Sequence, residues 1–369
     1  FDIVGNFRTV KIKLIMKKYL EYLLIGLSVT LCAPNVYGQL GGQHIYEFLS
    51  LPSSGRVTAL GGSVISIMDD DISLAYHNPA SLNSEMHNRL SFNHNFHLAD
   101  ISNGYFAYGR HLPKWGITTH AAINYIDYGE FVAADYRDVV SGTFDAGETA
   151  IVVGASKRMN ERIVLGANFK TVFSRFENYN STGLVADLGL NYVGVDSSFV
   201  FSIVANNIGG EVSSYTENYR GSAPFNLQIG FTKKLTHLPF RVGVIADNLQ
   251  TWDIRYNDPN RVVETNLFGE TEEQSGLSKG SDNFFRHFVF SGEFLLGKRG
   301  NLRLRMAYRH LRRQELAVEG FRSLAGFSGG FGIKVSKFRF DYGVGYHHLG
   351  GATNHITIST GLMEFTSKL

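Results

Sequence analysis

The chain of 369 residues has little of what most folded enzymes use: one cysteine, seven prolines, and only 18% Asp, Glu, Lys and Arg. A single thiol excludes a disulfide framework within the chain and a multi-cysteine metal site. No eighteen-residue run is wholly apolar, which excludes a conventional membrane-spanning helix. Gly-x-Ser-x-Gly and His-Glu-x-x-His are both missing, so neither a hydrolase nucleophile elbow nor a zinc-peptidase helix is foreshadowed. What the chain does have is glycine, 40 residues, and aromatics at 13%. Few charges with much glycine and many aromatic rings suit tight turns, many strands and interfacial girdles.

The first 38 residues have the layout of an export signal. Lys11, Lys13, Lys17 and Lys18 precede the apolar stretch 22–33, and Val36-Tyr37-Gly38 offers a small residue at the end of a cleavage site. Met16 reads as the natural start. Cleavage after Gly38 removes Cys32 and leaves 30 basic against 31 acidic residues in 39–369. The basic balance of the whole chain thus belongs to the signal, and nucleic acid is not an expected partner.

From Arg89 onward, strand-like runs of about ten residues recur, the length a tilted membrane strand needs. They span 89–98, 102–112, 115–127, 149–158, 161–174, 182–194, 197–207, 225–234, 239–250, 284–296, 300–312, 325–335, 337–348 and 355–364. In 337–347, Phe338, Phe340, Tyr342, Val344 and Tyr346 alternate with Lys337, Arg339, Asp341, Gly343, Gly345 and His347. A strand's side chains alternate between its faces, so one face is apolar and the other charged or minute. Connections alternate too. Short ones, such as Leu112-Pro113-Lys114 and Ser336, are followed by long ones at 128–148, 175–181, 208–224, 251–283 and 313–324. Short turns on one rim and long loops on the other predict an outer-membrane barrel rather than a soluble sandwich.

The expectation is therefore an all-β, fourteen-stranded antiparallel outer-membrane barrel over 89–369. Its last strand should close on 89–98, because lipid offers no partner for an open sheet edge. Residues 39–88 are left over and read as a plug or hatch.

No constellation predicts catalysis, a bound metal or a cofactor. His94 and His97 fall on opposite faces, as do His347 and His348. Asp69-Asp70-Asp71 lacks the glycine and terminal glutamate of a calcium loop and reads as a helix cap or solvated turn. Arg303, Arg305 and Arg309, with Arg339 and Asp341, should line the lumen as a salt-bridge network. Loop 251–283 has seven acidic against three basic residues. Trp252, Tyr256 and Phe268 within it are candidate anchors for a surface partner.

Two segments carry a resemblance. Ser73-Leu74-Ala75-Tyr76-His77-Asn78-Pro79-Ala80-Ser81-Leu82 resembles the Asn-Pro-Ala segment in the hatch of FadL-type fatty-acid transporters and of PorV-like barrels of Bacteroidetes. Gly42-Gln43-His44-Ile45-Tyr46-Glu47-Phe48-Leu49, together with Arg56-Val57-Thr58-Ala59-Leu60-Gly61-Gly62, is similar to the PorQ-like barrels of the type IX secretion system. That resemblance makes Asn78, Pro79 and Ala80 the plug motif. It also implies a non-enzymatic anchor in the outer membrane that holds a PorZ-like surface protein, with PorU-like and PorV-like members and lipopolysaccharide nearby. The FadL side of it implies a transporter or channel for small hydrophobic molecules instead.

Overall fold

The structure, a computed structural model, describes residues 44–97, 100–135, 137–216, 220–255, 276–297, 300–316, 324–348 and 351–366. The expected signal segment, and Tyr256 and Phe268 of the expected anchor set, lie outside the described residues.

Fourteen antiparallel strands form a closed barrel, each paired with its neighbour in sequence and the last with the first. They are β1 (Arg89–Phe96), β2 (Ser102–Leu112), β3 (Ile117–Ala134), β4 (Val140–Arg158), β5 (Ile163–Phe176), β6 (Tyr179–Val193), β7 (Phe199–Ser213), β8 (Asn226–Lys234), β9 (Phe240–Ala246), β10 (Phe288–Leu296), β11 (Leu302–Arg309), β12 (Phe327–Val335), β13 (Phe338–His348) and β14 (Gly351–Gly361). Closure runs from Arg89 opposite Gly361 to Phe96 opposite Asn354.

The side-chain alternation sorts as the sequence predicts. Phe92, Phe106, Ile123, Phe169, Leu188 and Phe340 are exposed on the outside, whereas Asn93, Lys170, Arg303, Arg305 and Asp341 are buried within. A belt of exposed phenylalanine, leucine and isoleucine this extensive has no counterpart on soluble monomers, and a bilayer is its solvent. A closed ladder with that belt is an outer-membrane barrel.

The strand ends differ from the sequence expectation in an instructive way. Stretches 128–148 and 175–181, expected as long loops, are strand: β3 and β4 continue to Ala134 and from Val140, and β5 turns into β6 across 177–178. Beyond the bilayer both faces of a strand meet water. The apolar alternation therefore stops while the hydrogen-bond ladder goes on; the outer ends of β3 and β4 are mostly exposed on both faces. The other three expected long connections remain, between β7 and β8 (214–225), β9 and β10 (247–287) and β11 and β12 (310–326). Two expected strand ends there are helical, within Gly276–Arg286 and His310–Glu315.

Residues 44–88 make short 3-10 turns and one helical turn, Gly55–Ala59. Tyr46, Phe48, Leu49, Tyr76 and Met86 form a buried cluster with inward residues of β2 to β6 such as Tyr105, Val152 and Val185, while Val57, Leu60, Val64, Ile67 and Leu74 form a second.

Candidate functional site

The Asn-Pro-Ala motif folds as a capped turn. The Asn78 side-chain oxygen accepts from Ala80 N at 2.9 Å, and Pro79 opens the 3-10 turn Pro79–Ser81. Proline suits that first position because its missing N–H would have no partner there. The other half of the Asn78 amide donates to Asn191 Oδ1 on β6 at 2.7 Å, and Ser156 on β4 donates to Leu82 O at 2.7 Å.

What lets the turn reach the wall is glycine. Gly166 and Gly189 are directly paired across β5 and β6. A Cβ on Gly166 would run into the Pro79–Ala80 peptide, and one on Gly189 into the Asn78 side chain. In the next row outward, Ala155, Ala167, Leu188 and Ala205 are consecutive partners across β4, β5, β6 and β7, and three of the four are alanine. At the Gly166–Gly189 pair the wall is backbone alone. On its lipid side lies an apolar groove of about 590 Å³ lined by Leu165, Ala167, Leu188, Ile203 and Ala205. Beside it the β6–β7 ladder skips between Ala186 and Leu188. The displaced Asn207 N–H donates to the Asp187 carboxylate at 2.9 Å instead, a β-bulge of the kind found where a wall changes direction.

The short-turn end of the N-terminal segment is held by charge. Arg56 pairs with Asp69 at 2.7 Å, Asp71 at 3.1 Å and Glu293 at 3.2 Å. Asp70 pairs with Arg339 at 2.9 Å and Arg89 at 3.0 Å. Arg241 and Arg305 each reach Glu293 at 2.8 Å, and Arg305 continues to Asp341 at 2.6 Å. Asp71 caps the turn Ile72–Tyr76 as expected. Asp69 and Asp70, however, are not a solvated turn: they tie the segment to β1, β9, β11 and β13. Burial alone would raise the Asp69 carboxyl, but Arg56, Arg303 and Arg241 overcome it and hold it well below the ordinary carboxylate range. The expected lumen cations thus pair with the segment as well as with the wall. A sequence cannot show that pairing, which joins residues over two hundred positions apart.

The long-connection end is different. His44 hydrogen-bonds Ser222 Oγ at 3.2 Å, Ile45 N donates to Ser222 O at 3.1 Å, and the Tyr46 hydroxyl meets Ser181. A polar cavity of about 330 Å³ lies there between the segment and β7–β9, with Asn206, Gln228, Asp247 and Arg309 on its wall side and Ser50 and His77 on the segment side. His77 Nε2 accepts from Ser53 N at 3.2 Å. Burial, then the Lys170 ammonium, pushes its imidazole down to about 3, so it is neutral at physiological pH.

Of the expected partner anchors, Trp252 is described. It is 64% exposed, stacks on His287 at 5.4 Å, and its carbonyl accepts from Asn283 at 2.7 Å. Among the described residues no three His, Cys, Asp or Glu side chains converge as a metal site.

No family model matches the chain. No curated protein matches it. Among solved structures it is similar to the Pseudomonas putida toluene transporter TodX (12% identity over 84% of this chain and 97% of that one, TM-score 0.48). It is similar also to a deltaS2 mutant of the TodX monoaromatic hydrocarbon channel (13%, 84% and 97%, TM-score 0.49). A Pseudomonas aeruginosa FadL homologue is a third likeness (9%, 84% and 98%, TM-score 0.46).

Proposed function

We propose that this chain is a transport barrel of the outer membrane, FadL-like in plan, in which residues 39–88 form the plug and small hydrophobic molecules leave the lumen sideways through the wall. The carrying observation is the thinned wall at Gly166 and Gly189, with the Asn-Pro-Ala turn on its inner side and the apolar groove on its outer side. A shift of the turn uncovers backbone rather than side chains. The seam beside it, where the ladder already skips at the bulge, parts with the least loss of backbone hydrogen bonds. By the rule that outer-membrane barrels keep short turns inside and long loops outside, the 214–225, 247–287 and 310–326 connections face the exterior. No step in this reading is catalytic.

Filling the groove tests it. Ala167→Trp puts an indole on the lipid side of the seam and leaves every plug contact in place. Intact Gram-negative cells producing the protein should take up labelled toluene faster than cells without it, and the variant should abolish the difference. Equal uptake by wild type and variant sinks the wall route.

A second reading, the surface anchor, keeps one observation in its favour. Trp252, Phe284 and Phe285 stand exposed together at the long-connection rim, at 64%, 44% and 47%. Exposed aromatics beside charge are the usual anchors of protein interfaces. If a PorZ-like protein, with PorU-like or PorV-like members or lipopolysaccharide, docks there, Trp252→Ala lowers its recovery with the solubilised barrel. Unchanged recovery removes this rim as the docking surface.

A further inference from the structure

The polar cavity at the long-connection end does not belong to the wall route, and its chemistry is the opposite of the groove's. Six carboxamides line it: Asn206, Asn207, Asn226, Gln228, Asn248 and Gln250. Two are fully engaged in holding the fold. Asn207 accepts from Lys170 at 2.9 Å and donates to Pro224 O at 3.1 Å; Gln250 accepts from Leu227 N at 3.0 Å and donates to Phe225 O at 2.8 Å. The other four commit one half of the amide. Asn206 donates to His77 O at 3.1 Å and Asn248 to Asp247 at 3.4 Å, so each keeps an oxygen to offer. Asn226 accepts from Asn248 N at 2.9 Å and Gln228 from Ser63 at 3.4 Å, so each keeps an NH₂. The remaining oxygen of Asn206 is buried and has no partner, and the same holds for Arg309 Nε.

Both basic side chains of the cavity are paired, and Glu47 stands at its exposed edge. Lys170 pairs with Asp187 at 2.9 Å and Arg309 with Asp247 at 2.5 Å. With Lys170 and Arg309 each committed to a carboxylate, the cavity keeps no free cation to hold an anion. Spare amide oxygens and NH₂ groups in equal number suit a ligand whose groups both donate and accept, which is the property of a hydroxyl. Phe225, 36% exposed, adds one apolar face among them. A pyranose has vicinal hydroxyls at its edge and C–H groups on its faces. The volume, about 330 Å³, is at the lower end of the range of about 300–1,000 Å³ for small-molecule sites.

We propose that this cavity, built where β7, β8 and β9 meet the N-terminal segment, is a binding site for a neutral saccharide of one or two rings. The site stands independently of the wall route, since it needs neither passage nor a hydrophobic cargo.

The test is a sucrose titration of the full chain in a detergent without a sugar head group, followed by saturation-transfer NMR or calorimetry. Glycylglycine and toluene serve as competitors. Saturable sucrose binding that neither competitor displaces is the expected result. Gln228→Leu, which deletes one spare NH₂, should weaken it about tenfold, the worth of one hydrogen bond in a closed site. Ser50→Trp fills the cavity from its exposed side, touches no buried contact and should abolish binding; heat-modifiable migration checks that each variant is a closed barrel. Absence of saturable sucrose binding to wild type overturns the proposal, as does undiminished binding by Ser50→Trp or displacement by glycylglycine. Toluene uptake by the wild type, measured separately, reports on the wall route alone and does not bear on sucrose binding.

Discussion

The two ends of the N-terminal segment are held by different physics. At the short-turn end, Arg56, Asp69 and Asp70 bond to charges on β1, β9, β10, β11 and β13, nearly all of them shielded from water. At the long-connection end the polar contacts are hydrogen bonds of His44 and Ile45 with Ser222 and of the buried Tyr46 with Ser181, and a cavity lies between the segment and β7–β9. Breaking one partner of a buried ion pair strands a charge, whereas losing an exposed neutral bond exchanges it for water. By this difference the short-turn end carries the ionic anchorage of the segment, and the long-connection end depends on hydrogen bonds and apolar packing.

The strongest challenge to that contrast is Arg56→Ala. It leaves Asp69, Asp71 and Glu293 short of a partner and should cost about 3–5 kcal/mol, read as a lowered midpoint in urea or heat-modifiability melts. A loss no larger than that of an exposed residue would show that the ionic end is not the anchor.

Gly189→Val comes next. A side chain there displaces the Asn-Pro-Ala turn. Overpacking of this kind costs about 1–3 kcal/mol, and the variant should become cleavable by protease within 74–82 while the barrel itself stays heat-modifiable. Continued protection of the turn would contradict the close approach on which the wall route depends.

Acid sharpens the comparison, because the two ends titrate in different windows. His77 is held neutral, so its contribution is present above pH 6.5 and is lost as pH falls toward about 3. Asp69 and Asp70, held below their ordinary range, keep their contribution until pH drops below about 4. Hydrogen exchange at pH 5 should therefore quicken around 74–78 before it changes around 69–71. Simultaneous loss of protection would mean that the segment opens as one unit.

The smallest effect belongs to Ser222→Ala, which removes a bond to the exposed His44. It should cost less than about 1 kcal/mol and leave the midpoint of unfolding nearly where it was.

Much of this barrel is legible in the sequence where strands cross lipid. There, Phe340 and Tyr342 must face out and Asp341 and Gly343 in, and closure of 89–98 on the last strand follows from having no free edge. Legibility ends where one face stops differing from the other. The outer parts of β3 and β4 carry no alternation and looked like loop. Nor does composition show that Gly166 faces Gly189, because that needs the register between strands. Asp69 and Asp70 looked like a turn, since their partners lie on strands remote in sequence. The motif Asn78-Pro79-Ala80 was visible, but the glycine pair that receives it was not. A glycine inside an otherwise alternating strand is the one signal that could have pointed there, because it marks close backbone approach.

The proposed wall route needs the N-terminal segment to shift inside the barrel, and a reversible lock on that segment tests this most directly. The double variant His44→Cys/Ser222→Cys places two thiols where side chains already touch at 3.2 Å, in a chain whose one native cysteine, Cys32, precedes the expected cleavage site. The predicted result is that oxidation stops toluene uptake by intact cells and reduction restores it, with heat-modifiable migration unchanged throughout. Uptake at the same rate in the oxidised and reduced states would contradict the account.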